Sequence, residues 1–386
     1  MIFKDLAIII VAAKLFGLLA RKINVPQVAG EIVAGLVIGP SILGIVAQSD
    51  FLNMMAEIGV ILLMFSAGLE TNLKNLIKTG PVAFLVALVG VIVPLVSGTL
   101  LYMFFYGFSD IGTPQFYRAI FIGTILTATS VSITVKTLEE MGKLNSELGT
   151  TIVSAAIIDD IIGILVLTVV VGMGSGEQNA SIISVILRSL LFFVASGVFG
   201  IVIYKVFKII DKRYEHSRRI PILGLALCMF LSYSAEKYFG VADITGAFAA
   251  GIILCNIRDA QYIERKMSVS SYMLFGPVFF AGIGLKTNIR GFSSAIIIFS
   301  ICFVLIGLIA KIIGCGLVGK ICGHTIRDSA IIGVGMMTRG EVALIVSQKG
   351  LSVGLLEPVF FTPVILLIIV SSILTPIVLK ILFKKE

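Results

Sequence analysis

Gly68-Leu-Glu-Thr-Asn72 and Gly284-Leu-Lys-Thr-Asn288 are one pattern written twice, 216 residues apart. At the same spacing Gly30, Ala34 and Gly35 return as Gly246, Ala250 and Gly251. One pentapeptide match lies within chance. Two matches, in order and in register, indicate an internal duplication. Each copy sits in or closes a long apolar run, so the duplicated unit consists of apolar segments.

The composition around these segments agrees. Of the 386 residues, 58% are apolar and only 13% are charged, half the ~25% of a soluble domain. That is too little charge to cover a water-facing surface. Unbroken apolar runs of about 20 residues match membrane-crossing helices and exclude the alternating strands of outer-membrane barrels. Counting runs bounded by charges or turn residues gives thirteen spans, at 5–20, 27–47, 54–70, 80–107, 117–136, 147–172, 180–208, 220–236, 241–256, 267–284, 291–319, 328–347 and 356–383. The first run continues past Lys14 without a small-residue cleavage site, so it reads as a span and not as a signal peptide. No soluble extension is expected at either end.

Orientation follows from the loops. With the N-terminus outside and the C-terminus cytoplasmic, the inner loops and tail hold 20 of the 30 Lys and Arg residues, and the outer segments hold six. The reverse orientation inverts this bias. The net charge of +8 is therefore a topology signal, and nucleic acid is excluded as a partner. The five cysteines form no CxxC, and His216 and His324 lie in basic loops. Neither a disulfide framework nor a structural metal site is expected, and no cofactor.

The repeat spacing spans seven crossings, an odd number, so equivalent spans run in opposite directions. The expected fold is an all-α polytopic membrane protein of 13 transmembrane helices, built from two inverted-topology six-helix repeats. The first repeat is 1–172, a linker span with its basic cytoplasmic loop is 173–219, and the second repeat is 220–386. Such pairs are the architecture of secondary transporters, which bind substrate near the midplane on interrupted helices. A duplicated fold without transport is the alternative.

Interrupted helices should fall at matching places. Span 5 carries Thr127-Ala-Thr129-Ser130-Val-Ser132-Ile-Thr134, and span 12 carries Gly333-Val-Gly335-Met-Met-Thr338-Arg339-Gly340-Glu341. Both are polar where a lipid-facing helix is costly, and non-helical backbone at that depth must line a cavity or be buried in protein. Hydroxyls that glue helices together are the alternative for span 5.

Charges inside spans are the sharpest signal. Asp159 and Asp160 lie in the middle of span 6, where each costs roughly 2.5–3.5 kcal/mol on insertion scales. Adjacent carboxylates there call for protons, cations or a basic partner, and a carboxylate that swaps a proton for a cation is what coupled exchange requires. Lys311 of span 11 lies nine residues before Lys320, about 13 Å into the membrane, so the aspartates are its candidate partners; snorkelling is the alternative. Arg339 and Glu341 can pair with each other or with broken helix ends, and Arg339 has structural and functional readings alike. Glu31, in the first turns of span 2, suits either a cytoplasmic access funnel or a structural role.

These motifs resemble the bacterial monovalent cation:proton antiporter-2 family, in its NapA-type and GerN-type branches. The likeness covers essentially the whole chain. It is carried by Thr129-Ser-Val-Ser-Ile-Thr134, Asp159-Asp160, Lys311 and Thr338-Arg-Gly-Glu341, together with Val28-Ala-Gly-Glu-Ile-Val-Ala-Gly-Leu-Val-Ile-Gly-Pro40 and Phe65-Ser-Ala-Gly-Leu-Glu70. The resemblance implies an NhaA-like antiporter fold with broken crossing helices, a dimerisation domain and a mobile ion-transport core working as an elevator. It implies Asp160 as the carboxylate that takes a cation or a proton, and Asp159 as the resting partner of Lys311. Thr129 and Ser130 would line the site at one break, with Thr338, Arg339 and Glu341 at the other. Na⁺ would bind among Asp160, Asp159, Thr129 and Ser130. Partners would be monovalent cations, protons, the lipid bilayer and a second copy in a homodimer, in the bacterial cytoplasmic membrane.

Within the resemblance, an Asp-Asp pair marks electrogenic members. Potassium-efflux members carry Gln at the first position and a large C-terminal domain, whereas this sequence ends at Lys384-Lys385-Glu386. Exchange of protons for Na⁺, Li⁺ or K⁺ is thus the leading expectation, and no enzyme activity is expected. A sodium-coupled organic solute symporter and a K⁺/H⁺ efflux antiporter are the alternatives. An intramembrane aspartyl protease is excluded, because neighbouring residues on one helix point ~100° apart and cannot share one water.

Overall fold

The computed structural model describes residues 2–22, 27–71, 80–144, 146–174, 182–214, 216–286 and 294–384, the side chains of 131, 132, 136, 139, 140, 182–186 and 341 excepted. In chain order its helices are α1 (Ile2–Lys22), α2 (Gln27–Ile38), α3 (Asp50–Glu70), α4 (Gly80–Tyr106), α5 (Pro114–Thr127), α6 (Val131–Glu140), α7 (Glu147–Gly174) and α8 (Ile182–Arg213). Then come α9 (Arg219–Phe239), α10 (Asp243–Leu254), α11 (Ala260–Ser270), α12 (Gly276–Lys286), α13 (Ser294–Ile321), α14 (Ile326–Gly335), α15 (Glu341–Ser352) and α16 (Phe361–Lys384). A π turn, Ser271–Phe275, joins α11 to α12.

Local chemistry sets the ends. Ser49 and Thr113 accept the Leu52 and Phe116 amides at the starts of α3 and α5, and Pro114 occupies the first turn where its missing N–H costs nothing. Gly240 closes α9 in the left-handed region, at φ 64°. Among the described residues, eight helical stretches are long and apolar enough to cross a bilayer, and two shorter apolar helices are α2 and α10. Their outer faces are apolar: Val194, Val198 and Ile201 of α8 stand well exposed. Lipid is the solvent this surface suits, and the chain is a multi-pass helical membrane protein.

Two boundaries differ most from the sequence reading. Span 2 was expected to run to 47, but α2 stops at Ile38. Gly39-Pro40 and the left-handed Gly44 fold the next residues back, so that the Ile45 and Val46 amides reach the Ile38 carbonyl. Span 10 was expected to start at 267, but helix begins at Ala260. Its first turns are polar overall and bury only Ala260, Ile263 and Met267, an amphipathic stripe that a search for apolar runs passes over.

The chain groups into two compact units. Unit 1 comprises Met1–Phe16, Glu31–Leu73 and Gly176–Lys286; unit 2 comprises Gly17–Gly30, Lys74–Ser175 and Thr287–Glu386. Each draws on chain from both sides of 173–219, so the compact units cut across the division by chain order.

Unit 1 places the repeated glycines where helices touch. A Cβ at Gly35 would lie 2.0 Å from the Ala281 carbonyl oxygen, and one at Gly284 2.1 Å from that of Ile32. A Cβ at Gly251 would lie 2.4 Å from the Phe65 oxygen, and one at Gly68 2.4 Å from that of Phe248. The α2–α12 and α3–α10 contacts interchange at the 216-residue spacing: Gly35 becomes Gly251, Ala281 becomes Phe65, Gly284 becomes Gly68 and Ile32 becomes Phe248. Thr287, Asn288 and Asn72 of the repeated pentapeptides lie outside the described residues.

Unit 2 contains both polar stretches, and helix is interrupted in each. Between α5 and α6 the residues 128–130 are non-helical, and between α14 and α15 so are 337–340.

Candidate functional site

The two interruptions of unit 2 bond to each other. In a continuous helix the Ser130 amide would bond to the Leu126 carbonyl. Here it donates to the Thr338 carbonyl at 2.8 Å. Thr134 donates to the Gly335 carbonyl at 2.8 Å and lies 3.2 Å from the Thr338 hydroxyl. A Cβ at Gly340 would sit 2.6 Å from Ser130 Oγ, so only glycine lets the segments come this close.

Broken helices leave carbonyls without donors, and in a dry interior each must be satisfied. Arg339 does this. Its guanidinium is fully buried and donates to Leu126 O at 2.7 Å, Gly307 O at 3.1 Å, Met337 O at 3.3 Å and Met336 O at 3.4 Å. The Leu126 carbonyl is the one that lost the Ser130 amide, and the Met336 carbonyl ends α14. A cation there also offsets the negative ends of two helix dipoles. The backbone of Arg339 is held in turn by Ser371, whose hydroxyl accepts its amide at 3.0 Å. This geometry accounts for Arg339 as a cap on the carbonyls at the two breaks.

Beside the breaks, α7 and α13 bring Asp159 and Lys311 together. Both side chains are fully buried. Lys311 Nζ donates to Asp159 Oδ1, and Thr129 Oγ1, from the first break, donates to Asp159 Oδ2 at 2.7 Å. Each carboxylate oxygen thus has its own donor, which is what makes a buried charge tolerable. Asp160, next along α7, is only half-buried. Ser130 is buried, and its hydroxyl has no hydrogen-bond partner among the described residues. The site therefore offers one carboxylate that is held, one that is more open, and a spare hydroxyl oxygen. Oxygen donors of this kind suit a hard cation.

Of the residues singled out from sequence, Asp159, Lys311 and Thr129 are in direct contact. Asp160, Ser130, Thr338 and Arg339 lie along the same breaks and the same helix. The Glu341 side chain lies outside the described residues. Glu31 belongs to unit 1, is buried, and pairs with Lys14 Nζ at 3.5 Å. The role of Thr134 in tying the breaks together went unread, although it closes the hydroxyl-rich run that marked the first one.

The family description "sodium/hydrogen exchanger, transmembrane" matches residues 8–385. This chain belongs to the sodium/hydrogen exchanger family. Among curated relatives, the probable Na⁺/H⁺ antiporter GerT of Bacillus cereus is 38% identical over 97% of this chain and 98% of its own length. The Na⁺/H⁺-K⁺ antiporter GerN of the same species is 36% identical over 99% and 96%. An Na⁺/H⁺ antiporter of Enterococcus hirae is 32% identical over 98% and 97%. Among solved structures, the sodium proton antiporter MjNhaP1 of Methanocaldococcus jannaschii at pH 8 superposes with a TM-score of 0.76 at 16% identity, covering 98% of this chain and 95% of that one. At that identity the likeness shows the fold. The family is one of transporters.

Proposed function

We propose that this protein is a secondary antiporter that exchanges protons for Na⁺ across a bacterial cytoplasmic membrane, with Li⁺ and K⁺ as further candidate cations. The observation that carries this is the buried Lys311–Asp159–Thr129 group beside Asp160, set against two interrupted helices. In this reading Asp160 holds either a proton or a cation. An arriving Na⁺ is coordinated by Asp160, Asp159, Thr129 and Ser130, and it competes with Lys311 for Asp159. Lys311 then leaves the carboxylate, and protons depart as the cation binds. Reversal on the other face returns the proton and expels the cation. Because the pair and Asp160 can together release more charge than one Na⁺ brings, exchange is electrogenic.

The architecture proposed with it is thirteen crossings in two inverted repeats, N-terminus outside and C-terminus cytoplasmic, assembled as a homodimer. The interchanging glycine contacts of unit 1 support the inversion. In unit 2, 210 residues separate Gly123 from Gly333 and Ser130 from Gly340. A Cβ at Gly123 would lie 2.2 Å from the Leu95 oxygen and one at Gly333 2.5 Å from that of Ile312, so the two broken helices meet their neighbours in the same way. Both breaks and all three charged side chains belong to one compact unit, which supports an elevator in which that unit carries the site across as a body.

The test is flux. Purified protein in liposomes containing a pH dye should collapse an imposed proton gradient when Na⁺ is added, with a rate that responds to membrane potential. Assays with K⁺, Li⁺ and organic solutes in place of Na⁺ set the selectivity. No proton movement with any monovalent cation would remove the antiporter reading.

A further inference from the structure

One wall of the buried pair is made by residues that carry no charge. On α13, Cys315 lies one turn beyond Lys311, fully buried, with its Sγ 3.6 Å from the Val86 carbonyl of α4. Facing it on α4 is Gly90. A Cβ built there would lie 2.6 Å from Cys315 Sγ and 3.6 Å from both Asp159 Oδ1 and Lys311 Nζ. The first distance is a clash, and the other two are ordinary contact. The thiol thus fills the hollow left by the glycine, directly against the ion pair. Pro94, four residues on, has no N–H to give the Gly90 carbonyl, so α4 lacks a rung of its own ladder at the point where it meets the pair.

We propose that Gly90 and Cys315 are positioning residues, a thiol set into a glycine hollow, which fixes how closely Lys311 is held on Asp159 and so how strongly a cation must compete for that carboxylate. The proposal rests on the reading of Asp159, Asp160 and Lys311 as the exchange site. If the wedge pushes or slackens α13 by a few tenths of an ångström, the contact between Nζ and Oδ1 changes while the carboxylates that bind the cation stay in place. The effect belongs in apparent affinity and not in maximal rate.

The test is a double-mutant cycle in proteoliposomes. Gly90→Ala forces Sγ away and loosens the pair; Cys315→Ala empties the hollow and lets the Lys311 stem relax. Each single variant should lower the apparent KM for Na⁺ by about threefold or more with maximal rate within about twofold, and the double variant, in which the new methyl fills the place of the thiol, should return toward the original KM. Should Gly90→Ala not yield folded protein, Cys315→Val, which crowds the same hollow from the other side, is measured beside Cys315→Ala as a second single variant, and each should lower the apparent KM. Two KM values equal to the parent's, or shifts that simply add in the double variant, would overturn the wedge. Lys311→Ala run in parallel separates the layers. If it exchanges with unaltered KM, the site reading fails and takes the wedge with it. If its KM changes while the cycle shows no coupling, the wedge alone fails.

Discussion

Among the described residues, each compact unit holds a lysine against a carboxylate, Lys311–Asp159 in unit 2 and Lys14–Glu31 in unit 1, and the two pairs are built differently. In unit 2 Lys311 and Asp159 are both sealed, with side-chain exposure of 0% each, and the second carboxylate oxygen is taken by Thr129 from a break in a helix. In unit 1 the Lys14 side chain remains 25% exposed, stands 3.5 Å from Glu31, and rests its ammonium 3.3 Å above the Tyr272 ring. The unit 1 pair joins unbroken α1 and α2 and draws on an aromatic face, which attracts the ammonium. The unit 2 pair lies next to a second carboxylate and a spare hydroxyl, on backbone that has given up its own hydrogen bonds. A buried ion pair by itself indicates neither stability nor function; what differs between these two is what surrounds them.

The difference can be broken or sharpened by substitution. The largest effect is expected at Asp160. Asp160→Asn should reduce Na⁺-driven proton flux in liposomes to the protein-free background, whereas Glu31→Gln should retain exchange. Next, Lys311→Ala leaves the Asp159 carboxylate buried without its counter-charge, a loss of about 3–5 kcal/mol for a buried pair, and should show as a marked fall in thermal unfolding temperature in detergent. Lys14→Ala, partly open to solvent, should cost about 1 kcal/mol or less by the same measurement. Removing the clamp on the breaks belongs between these: Arg339→Ala strips donors from the carbonyls of Leu126 and Met336, at about 1–3 kcal/mol for each group left unsatisfied, and Arg339→Lys should recover only part of that because one ammonium cannot reach all four oxygens. The smallest effect is expected at the half-exposed Arg118–Glu357 pair, 3.0 Å apart. Arg118→Ala should change the unfolding temperature by no more than a degree or two, in keeping with surface pairs of ~0–1 kcal/mol.

Much of unit 2 was legible in the sequence because membranes make polarity expensive. Asp159, Asp160 and Lys311 stood out as charges at midplane depth, and the hydroxyl run 127–134 and the Gly333–Glu341 stretch marked the places where helix stops. The repeat at 216 residues pointed to the glycines that later proved to be helix contacts. Helix ends were less legible. The stop at Ile38 depends on a turn whose amides reach back to one carbonyl, and the early start at Ala260 on an amphipathic stripe. What single-residue polarity could not disclose was partnership. Arg339 as a cap for two helix ends needs Ser130 to desert Leu126 for Thr338, a bond across 208 residues of chain. Gly90 carries no charge and no motif, and its meaning comes only from Cys315 opposite.

The central claim is that cations and protons compete for one carboxylate, Asp160, beside the held pair. It is tested most directly by adding Na⁺ to the purified protein in weakly buffered detergent solution and measuring the protons released. The account predicts release by the parent protein, saturating with Na⁺ concentration, and none by Asp160→Asn. Release from Asp160→Asn equal to the parent's would contradict it.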